Sequence, residues 1–212
     1  MKTMIKNYIA AGITAAVLLG TTIAAKANLP THHYTSLPTI KNISKIDVSG
    51  NVELVLVQGT EESVRVYNDY YASNALVQAK GGLLRISSFG KEKLTVVVHI
   101  KNLSSLSAED QSSIKTYGNF KLLDLTIHLQ DQAKADINTQ AVNLRSQVSG
   151  EASLKLAGSA EDYSASIGDA AGLNLEGFVA GKSSLQPVKI RGCRLSHSSI
   201  QSHAANLYAP GH

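Results

Sequence analysis

Three stretches of the chain, IHLQDQAKADI (Ile127–Ile137), SQVSGEASLKL (Ser146–Leu156) and ASIGDAAGLNL (Ala165–Leu175), align without gaps at an interval of 19 residues. Such self-similarity is typical of solenoids, in which each unit must stack on its neighbours to bury its apolar face. Alternate positions within the units are apolar or small, and the positions between them are mostly polar. Because a period of two indicates strands with one buried face, the sequence predicts an all-β protein containing a short right-handed parallel β-helix.

The turns of this solenoid are predicted from two columns of aligned residues. An odd interval would flip the inward-facing set from one coil to the next, so a bend in each coil must reset the register. Residues that tolerate left-handed or turn conformations stand in one column and supply that bend: Asp131, Gly150 and Asp169. Small residues follow in a second column and let a tight corner close: Ala133, Ala152 and Ala171. We therefore expect these alanines to lie buried and in register.

The region before the repeats is predicted to form a flanking set of strands over residues 40–100, with regular coils over residues 103–200. A degenerate coil containing Asp110 places the start of the stack near Leu103. Alternating apolar residues bounded by turn residues predict six strands: Ile46–Val48, Val52–Val57, Val64–Tyr67, Ala75–Ala79, Leu83–Ile86 and Leu94–Ile100. Gly81-Gly82 predicts a tight hairpin turn. VSGNVELVL at residues 48–56 echoes VSGEASLKL at residues 148–156, so the N-terminal half is expected to contribute coils or a flanking sheet to the same core.

The two ends of the chain differ in composition from the rest. Residues 1–27 have a basic start, an apolar stretch and the small-x-small site Ala25-Lys26-Ala27, which predicts a secretory signal peptide; an uncleaved N-terminal anchor is the alternative. Residues 28–39 are predicted to form an extended leader, and residues 201–212 a polar tail or cap. Removing residues 1–27 lowers the formal charge from +4 to +1 because three lysines and no acids are lost, which argues against nucleic-acid binding.

Several segments carry a resemblance to a known family. The opening ISKIDVSGNVELVLVQG (residues 43–59), the middle GGLLRI (residues 81–86), and VVVHI (residues 96–100) followed by LSSL resemble the head GIN domain family, described as auto-transporter adhesins of Gram-negative bacteria. The resemblance spans residues 40–192. It implies a β-helical, exported protein of the periplasm or the outer cell surface, and it brings no functional residues with it. Some corners here carry aspartate where the family carries serine and glycine.

Candidate chemistry along the sequence is sparse, and no catalytic or cofactor-binding residues are predicted. The one aromatic cluster, Tyr67, Tyr70 and Tyr71, is predicted to stack on a sugar ring, although tyrosines are also ordinary strand residues. A column of carboxylates, Asp110, Asp131 and Asp169, allows calcium as the only metal, but turn capping by aspartate explains the same column without it. The histidines lack zinc-type spacing, and the lone Cys193 is interpreted as a small buried residue rather than a nucleophile.

The sequence therefore favours an exported, non-enzymatic interaction or structural module of the cell surface or periplasm. It would present ladders of outward polar side chains, such as the column Asp136, Lys155 and Asn174, at a constant spacing. The expected partner is a cell-surface glycan or protein, and a homo-oligomer is also open. The alternative is a polysaccharide lyase or hydrolase, because β-helices also carry such activities.

Overall fold

The computed structural model describes residues 34–37, 40–67 and 75–187 of the chain. These residues form fourteen strands and contain no helix, which confirms the all-β prediction for the described part. The strands are β1 (Thr35–Ser36), β2 (Lys45–Gly50), β3 (Val52–Gln58), β4 (Ser63–Tyr67), β5 (Ala75–Lys80), β6 (Leu83–Ser88), β7 (Leu94–Ile100), β8 (Ser105–Ala108), β9 (Ser113–Tyr117), β10 (Phe120–Leu129), β11 (Lys134–Val148), β12 (Ser153–Ile167), β13 (Gly172–Asn174) and β14 (Phe178–Pro187).

All fourteen strands join into one open and strongly curled sheet. Its main path runs in the order β1-β4-β7-β3-β9-β11-β10-β8-β2-β6-β5, with β12 beside β11 and with β13 and β14 beside β12. The curl follows from the long strands, which change partners along their length. The first residues of β11 pair with β9 and its later residues pair with β10.

The repeat seen in the sequence is a repeat in space. Lys134 pairs with Ser153, and Ser153 pairs with Gly172, so that parallel neighbours are 19 residues apart. The Ser153 N–H donates to the Ala133 carbonyl at 2.9 Å, and the Gly172 N–H donates to the Ala152 carbonyl at 2.8 Å. Ala133 and Ala152 are fully buried, while Ala171 is half-buried in the last unit. The predicted stacking of the three alanines is confirmed.

The bend that resets the register is not the one predicted at the aspartate and glycine column. At the Asp131 corner the inward residues Leu129 and Ala133 are four apart, so the parity of the inward set is kept. The parity changes at a second bend, where two outward residues stand between inward ones; in β10 these are Leu123 and Asp124. The pairing with β11 skips Leu123 for the same reason. The prediction was wrong about the place because period two alone does not locate a bend inside a continuous strand.

The corner column nevertheless has the predicted backbone at two of its three positions. Asp131 has φ 57° and Gly150 has φ 66°, which is the left-handed region. Asp169 lies in the equivalent turn but outside that region. The left-handed conformation costs an ordinary L-residue about 1–2 kcal/mol, and aspartate tolerates it better than most because its side chain bonds locally.

The six strands predicted over residues 40–100 are all present, as β2 to β7. The hairpin turn is also confirmed, since β5 pairs antiparallel with β6 and the glycines between them have φ 58° and 81°. However, the stack does not start near Leu103. β2 pairs parallel with β8 and β3 pairs parallel with β9, so the N-terminal strands extend the same parallel rows. The antiparallel pairs within the described sheet are β1 with β4, β4 with β7 and β5 with β6.

The inward residues of these rows form one hydrophobic core that runs along the inside of the curl. Leu54, Ile114, Leu154 and Leu156 are fully buried there. The core thins toward β14, whose inward Leu185 is 55% exposed. The sequence predicts a shortened coil formed by Ser184-Leu185 and Val188-Lys189-Ile190. Its first two residues lie in β14, paired with Ser164 and Ala165.

Several predictions fall outside the described residues. They are the signal peptide over residues 1–27, residues 188–190 of the shortened coil, the last coil predicted over residues 195–200, Cys193 and the tail over residues 201–212. Most of the predicted leader, residues 28–39, is also outside. Its described part contains β1, which pairs with β4.

The close stacking of coils predicts a severe effect of adding one carbon atom at Gly158. A Cβ there would lie 2.1 Å from the Thr139 carbonyl oxygen, and φ is +97°. Gly118 has a similar φ of +83°, but a Cβ added there would have no heavy atom within 4 Å apart from its chain neighbours. We expect Gly118→Ala to lower the free energy of unfolding by about 1 kcal/mol, and Gly158→Ala to lower it by about 1–3 kcal/mol more. Urea unfolding of both variants measures this, and equal losses would contradict the stacking.

Burial of Tyr163 predicts an alkaline limit to stability. Its hydroxyl and the Ser146 hydroxyl form a buried hydrogen bond of 2.9 Å, and burial raises the pKa of Tyr163 above its ordinary value of 10.0, against a smaller lowering by that bond. Because the folded chain holds this proton more tightly than the unfolded chain, the stabilisation is complete below pH 10 and is lost as the pH rises through the folded-state pKa.

Tyr163→Phe should therefore lose about 1 kcal/mol at neutral pH, where it leaves the Ser146 hydroxyl unpaired, and should show a flatter decline above pH 10 than the parent protein. Unfolding free energies measured across the alkaline range test this. Tyr117→Phe is the control because the ring of Tyr117 is 75% exposed. A parallel decline in Tyr163→Phe and the parent would contradict the assignment.

Candidate functional site

A groove of about 600 Å³ follows the corner where successive turns lie over one another. We call it the corner groove. Its lining comes from the turns that follow β6, β2, β8, β10 and β11, which are neighbours in that order in the sheet. The lining residues are Ser88, Phe89 and Gly90, then Gly50 and Asn51, Asp110 and Gln111, Asp131 and Gln132, and Gly150 and Glu151.

The turns build this groove by repeating one local arrangement. In four of them a left-handed residue is followed at once by a longer polar residue; the left-handed residues are Gly50, Asp110, Asp131 and Gly150. Backbone hydrogen bonds hold one turn on the next, from the Gln132 N–H to the Asp110 carbonyl at 3.0 Å and from the Glu151 N–H to the Asp131 carbonyl at 2.6 Å. The polar tips therefore form a row with the strand spacing of about 4.8 Å.

That row, which we call the polar row, consists of Asn51, Gln111, Gln132 and Glu151. The Gln132 side-chain amide donates to the Glu151 carboxylate at 3.3 Å. Amides both donate and accept, while the carboxylate only accepts. The polar row can therefore bind a series of groups that are themselves both donors and acceptors, such as hydroxyls.

The Asp110 side chain joins two turns, which differs from the predicted role of aspartate in capping its own turn. The Asp110 carboxylate accepts a hydrogen bond from the Gly50 N–H at 3.0 Å, which ties the β8 turn to the β2 turn. Within residues 34–37, 40–67 and 75–187, no group of three or more His, Cys, Asp or Glu side chains is arranged to hold a metal ion.

An exposed aromatic ring lies in the same groove. Phe89 follows β6, and 81% of its surface is exposed although its neighbour Ser88 is buried. The groove also has an acidic lining, since it contains Asp110, Asp131 and Glu151 and no lysine, arginine or histidine among its lining residues. An exposed aromatic ring beside a row of hydrogen-bonding groups is the usual composition of a binding site for a ligand that has both apolar and polar faces.

The predicted tyrosine cluster is only partly described. Tyr67 lies in β4, half-buried, with its ring centroid 5.5 Å from that of Tyr34. The Arg65 guanidinium lies 5.4 Å from the Tyr34 ring. Tyr70 and Tyr71 lie outside the described residues. The structure thus joins Tyr67 to a residue of the leader, through the antiparallel pairing of β1 with β4.

The sequence interpretation missed Phe89 and the polar row. One signal was present for Phe89: an aromatic residue in Ser88-Phe89-Gly90-Lys91 stands in a turn between strands, where burial is not expected. The residues of the polar row each follow a corner residue by one position. The likeness of residues 48–56 to residues 148–156 places Asn51 opposite Glu151, which was a signal for the row, although the two segments lie outside one 19-residue alignment.

The outward columns predicted within the repeats are confirmed by the register. His128 pairs with Gln147, and Gln147 pairs with Ser166. Asp136 likewise pairs with Lys155, and their side chains form an ion pair at 3.3 Å. An exposed pair of this kind contributes little to stability, typically about 0–1 kcal/mol.

Comparison with known families gives a match over most of the chain. A family model with the description "Putative auto-transporter adhesin, head GIN domain" matches residues 42–188. The chain belongs to the head GIN domain family. The matched range of this head GIN domain contains β2 to β14 and leaves out β1.

Solved structures with a similar fold come from Bacteroides and Parabacteroides species. A protein described as a "putative adhesin" from Bacteroides fragilis NCTC 9343 has a TM-score of 0.62 and 18% identity, over 74% of this chain and 77% of that one. A "putative adhesin" from Parabacteroides merdae ATCC 43184 has a TM-score of 0.58 and 13% identity, over 73% and 77%. A "putative lipid binding protein" from Parabacteroides distasonis ATCC 8503 has a TM-score of 0.57 and 11% identity, over 73% and 78%.

At these identities the likeness shows that the fold of the head GIN domain is shared, and it shows nothing about the ligand. No curated protein matches the sequence. A search of the described residues finds no helix with the length and apolar character needed to cross a membrane.

The hydrogen bond between the two turns predicts a stability difference between two replacements of Asp110. Asp110→Ala removes the acceptor of the Gly50 N–H and places alanine at φ 60°, so we expect a loss of about 1–2 kcal/mol. Asp110→Asn keeps a side-chain oxygen and tolerates the conformation, and should lose less than about 0.5 kcal/mol. Chemical denaturation of both variants measures the difference, and a milder effect of Asp110→Ala would refute the tie between the turns.

Proposed function

We propose that the protein is an exported, non-enzymatic adhesion module of the periplasm or the outer cell surface that binds neutral carbohydrate in the corner groove. The observation that carries this proposal is the exposed ring of Phe89 in one groove with the polar row. A sugar ring has an apolar face that packs on an aromatic plate and hydroxyls at its rim that need both donors and acceptors. The groove offers both along the stack.

The repeated spacing supports a polymer as the ligand rather than a single sugar. Asn51, Gln111, Gln132 and Glu151 stand on four successive rows of the sheet, each about 4.8 Å from the next. Gln111, Gln132 and Glu151 are exposed to water, and the half-buried Asn51 already donates its side-chain amide to the Lys91 carbonyl at 2.9 Å. Each group alone would therefore bind weakly. Several weak contacts made at once by one chain bind more tightly than any single contact.

The composition of the groove argues against the lyase or hydrolase alternative at this place. A lyase needs a basic cluster beside its substrate, and the lining of the corner groove has no basic residue. The three carboxylates of the lining, Asp110, Asp131 and Glu151, are all exposed, whereas a general acid is usually kept protonated by burial. The family is also described in terms of adhesion and not of catalysis.

We further propose that the parallel rows are wound as a short right-handed parallel β-helix. Parallel pairing at intervals of 19 and 20 residues along β10, β11, β12 and β14 supports this winding. Crossovers between parallel strands of one sheet are right-handed in nearly all proteins. Export is supported by the basic and apolar pattern of residues 1–27 and by the family description.

The carbohydrate proposal is tested with cello-, xylo-, laminari- and chito-oligosaccharides by isothermal titration calorimetry. At least one series should bind, with affinity rising with chain length. Phe89→Ala should weaken that binding about 10-fold, because an aromatic contact of this kind contributes about 0.5–1.5 kcal/mol beyond its buried area. Leu123→Ala is the matched control, since Leu123 is 70% exposed on β10 and lies outside the groove.

Two outcomes would refute this proposal. One is no binding of any of the four series at millimolar sugar, and the other is equal binding by Phe89→Ala and the parent. Tyr67→Ala is measured beside them, because the proposal that Tyr67, Tyr70 and Tyr71 contact the ligand predicts a loss there instead of at Phe89. Release of shorter sugars during the titration would favour the hydrolase alternative.

A further inference from the structure

A second surface, distinct from the corner groove, lies over the C-terminal half of β12. Its floor is formed by the short outward side chains of Ser164 and Ser166, which are half-buried. β11 flanks the floor on one side with Arg145 and Gln147, and β14 flanks it on the other with Ser184 and Gln186. Short side chains between rows of longer ones make a shallow trough, which we call the β12 trough.

The β12 trough consists of two adjoining depressions with Arg145 at their junction. They have volumes of about 410 Å³ and about 330 Å³, and both are lined by Arg145, Ser164 and Ser184. The strand beneath rises about 3.3 Å per residue, so the stretch from Asp162 to Ser166 extends for about 13 Å. The trough therefore accommodates an extended ligand better than a compact one.

The charge of Arg145 is uncompensated within the part of the chain that the structure describes. The outward cations Arg85, Lys155 and Lys182 each lie within 4.0 Å of a carboxylate. Arg145 has no such partner among the described residues, and neither has Lys134 on the same strand, but of these two only Arg145 lies in the trough. Asp162 is the one acid in the trough, and Lys182 lies 3.8 Å from it.

We propose that the β12 trough binds an acidic polysaccharide, with Arg145 as the residue that pairs with its anionic group. A guanidinium presents its N–H donors in a planar fork that matches a carboxylate or a sulfate, and it stays charged at every physiological pH. The serine hydroxyls and the Gln147 and Gln186 amides then meet the hydroxyls of the sugars on either side. This surface is separate from the corner groove, which is acidic and would repel the same polymer.

The test uses the full chain and two probes, oligogalacturonate for the carboxylate and heparin-derived oligosaccharides for the sulfate, with dextran as the uncharged comparison. We expect one charged series to bind and dextran not to bind in the trough. Arg145→Gln should weaken that binding about 5- to 10-fold. The affinity of Arg145→Lys should lie between those of the parent protein and Arg145→Gln, because an ammonium keeps the charge but cannot form the bidentate pair. Raised salt should weaken binding by the parent protein.

Lys134→Gln is the matched control. It removes the same charge from the same strand, at an exposed position outside both depressions, and should change the affinity less than 2-fold. Equal losses in Lys134→Gln and Arg145→Gln would show attraction by net charge alone and would overturn the proposal. So would unchanged binding by Arg145→Gln, or no binding of either charged series. Equal thermal unfolding of all variants excludes misfolding as the cause of a loss.

Polyglutamate of matched charge decides between a saccharide and an acidic protein segment. Binding equal to that of the saccharide and dependent on Arg145 would overturn the saccharide assignment. Phe89→Ala separates this surface from the corner groove, since it should leave the binding of acidic oligosaccharides unchanged. Failure of the neutral-sugar test would therefore not affect the β12 trough, and failure here would not affect the corner groove.

Discussion

The hydrogen bonds that join one turn of the chain to the next in parallel register are the constraint on which the rest of the structure depends. The bonds from Ser153 to Ala133 and from Gly172 to Ala152 repeat the same contact one unit later. Such close backbone approach leaves no room for a side chain at the contact, as at Gly158 beside the Thr139 carbonyl. Four corners carry a left-handed residue, which is glycine at positions 50 and 150 and aspartate at positions 110 and 131, whereas the equivalent turn at Asp169 forms without one.

The same register determines what the surface looks like. Side chains that point outward from successive rows fall into columns about 4.8 Å apart, so the chemistry of a surface is set by which residue types recur at one offset in the repeat. At the corner, the position after each left-handed residue is occupied by a residue with an amide or a carboxylate, and these residues form the polar row. Over the C-terminal halves of β11 and β12 the offsets carry hydroxyls, amides and Arg145. The two surfaces differ in charge because they occupy different offsets of one repeat.

Much of this architecture could be predicted from the sequence, because the alternation of apolar residues and the 19-residue interval are both local signals. The buried alanine column, the strands β2 to β7 and the hairpin at Gly81-Gly82 follow from them. The site of the register change could not be found in this way, since the strand continues through the doublet Leu123-Asp124 and a single aspartate there does not differ from the other outward polar positions. The likeness of residues 48–56 to residues 148–156 predicted that the N-terminal half adds coils or a flanking sheet to the same core. It could not identify β8 as the partner of β2, because the residues between these strands do not keep the 19-residue interval.

The candidate surfaces were harder to predict than the fold for a physical reason. The core and the corners restrict which residues can occupy inward and left-handed positions, but the outward positions are limited only by strand propensity and solubility, so many sequences satisfy them. Solved structures that share the fold at 11–18% identity, with TM-scores of 0.57–0.62, show how little sequence the fold itself requires. Phe89 and Arg145 occupy such outward positions, and neither contributes to the core. Because the fold does not restrict which residue types stand at these positions, ligand binding can determine them. The two proposed surfaces therefore depend on residues that the fold leaves unconstrained.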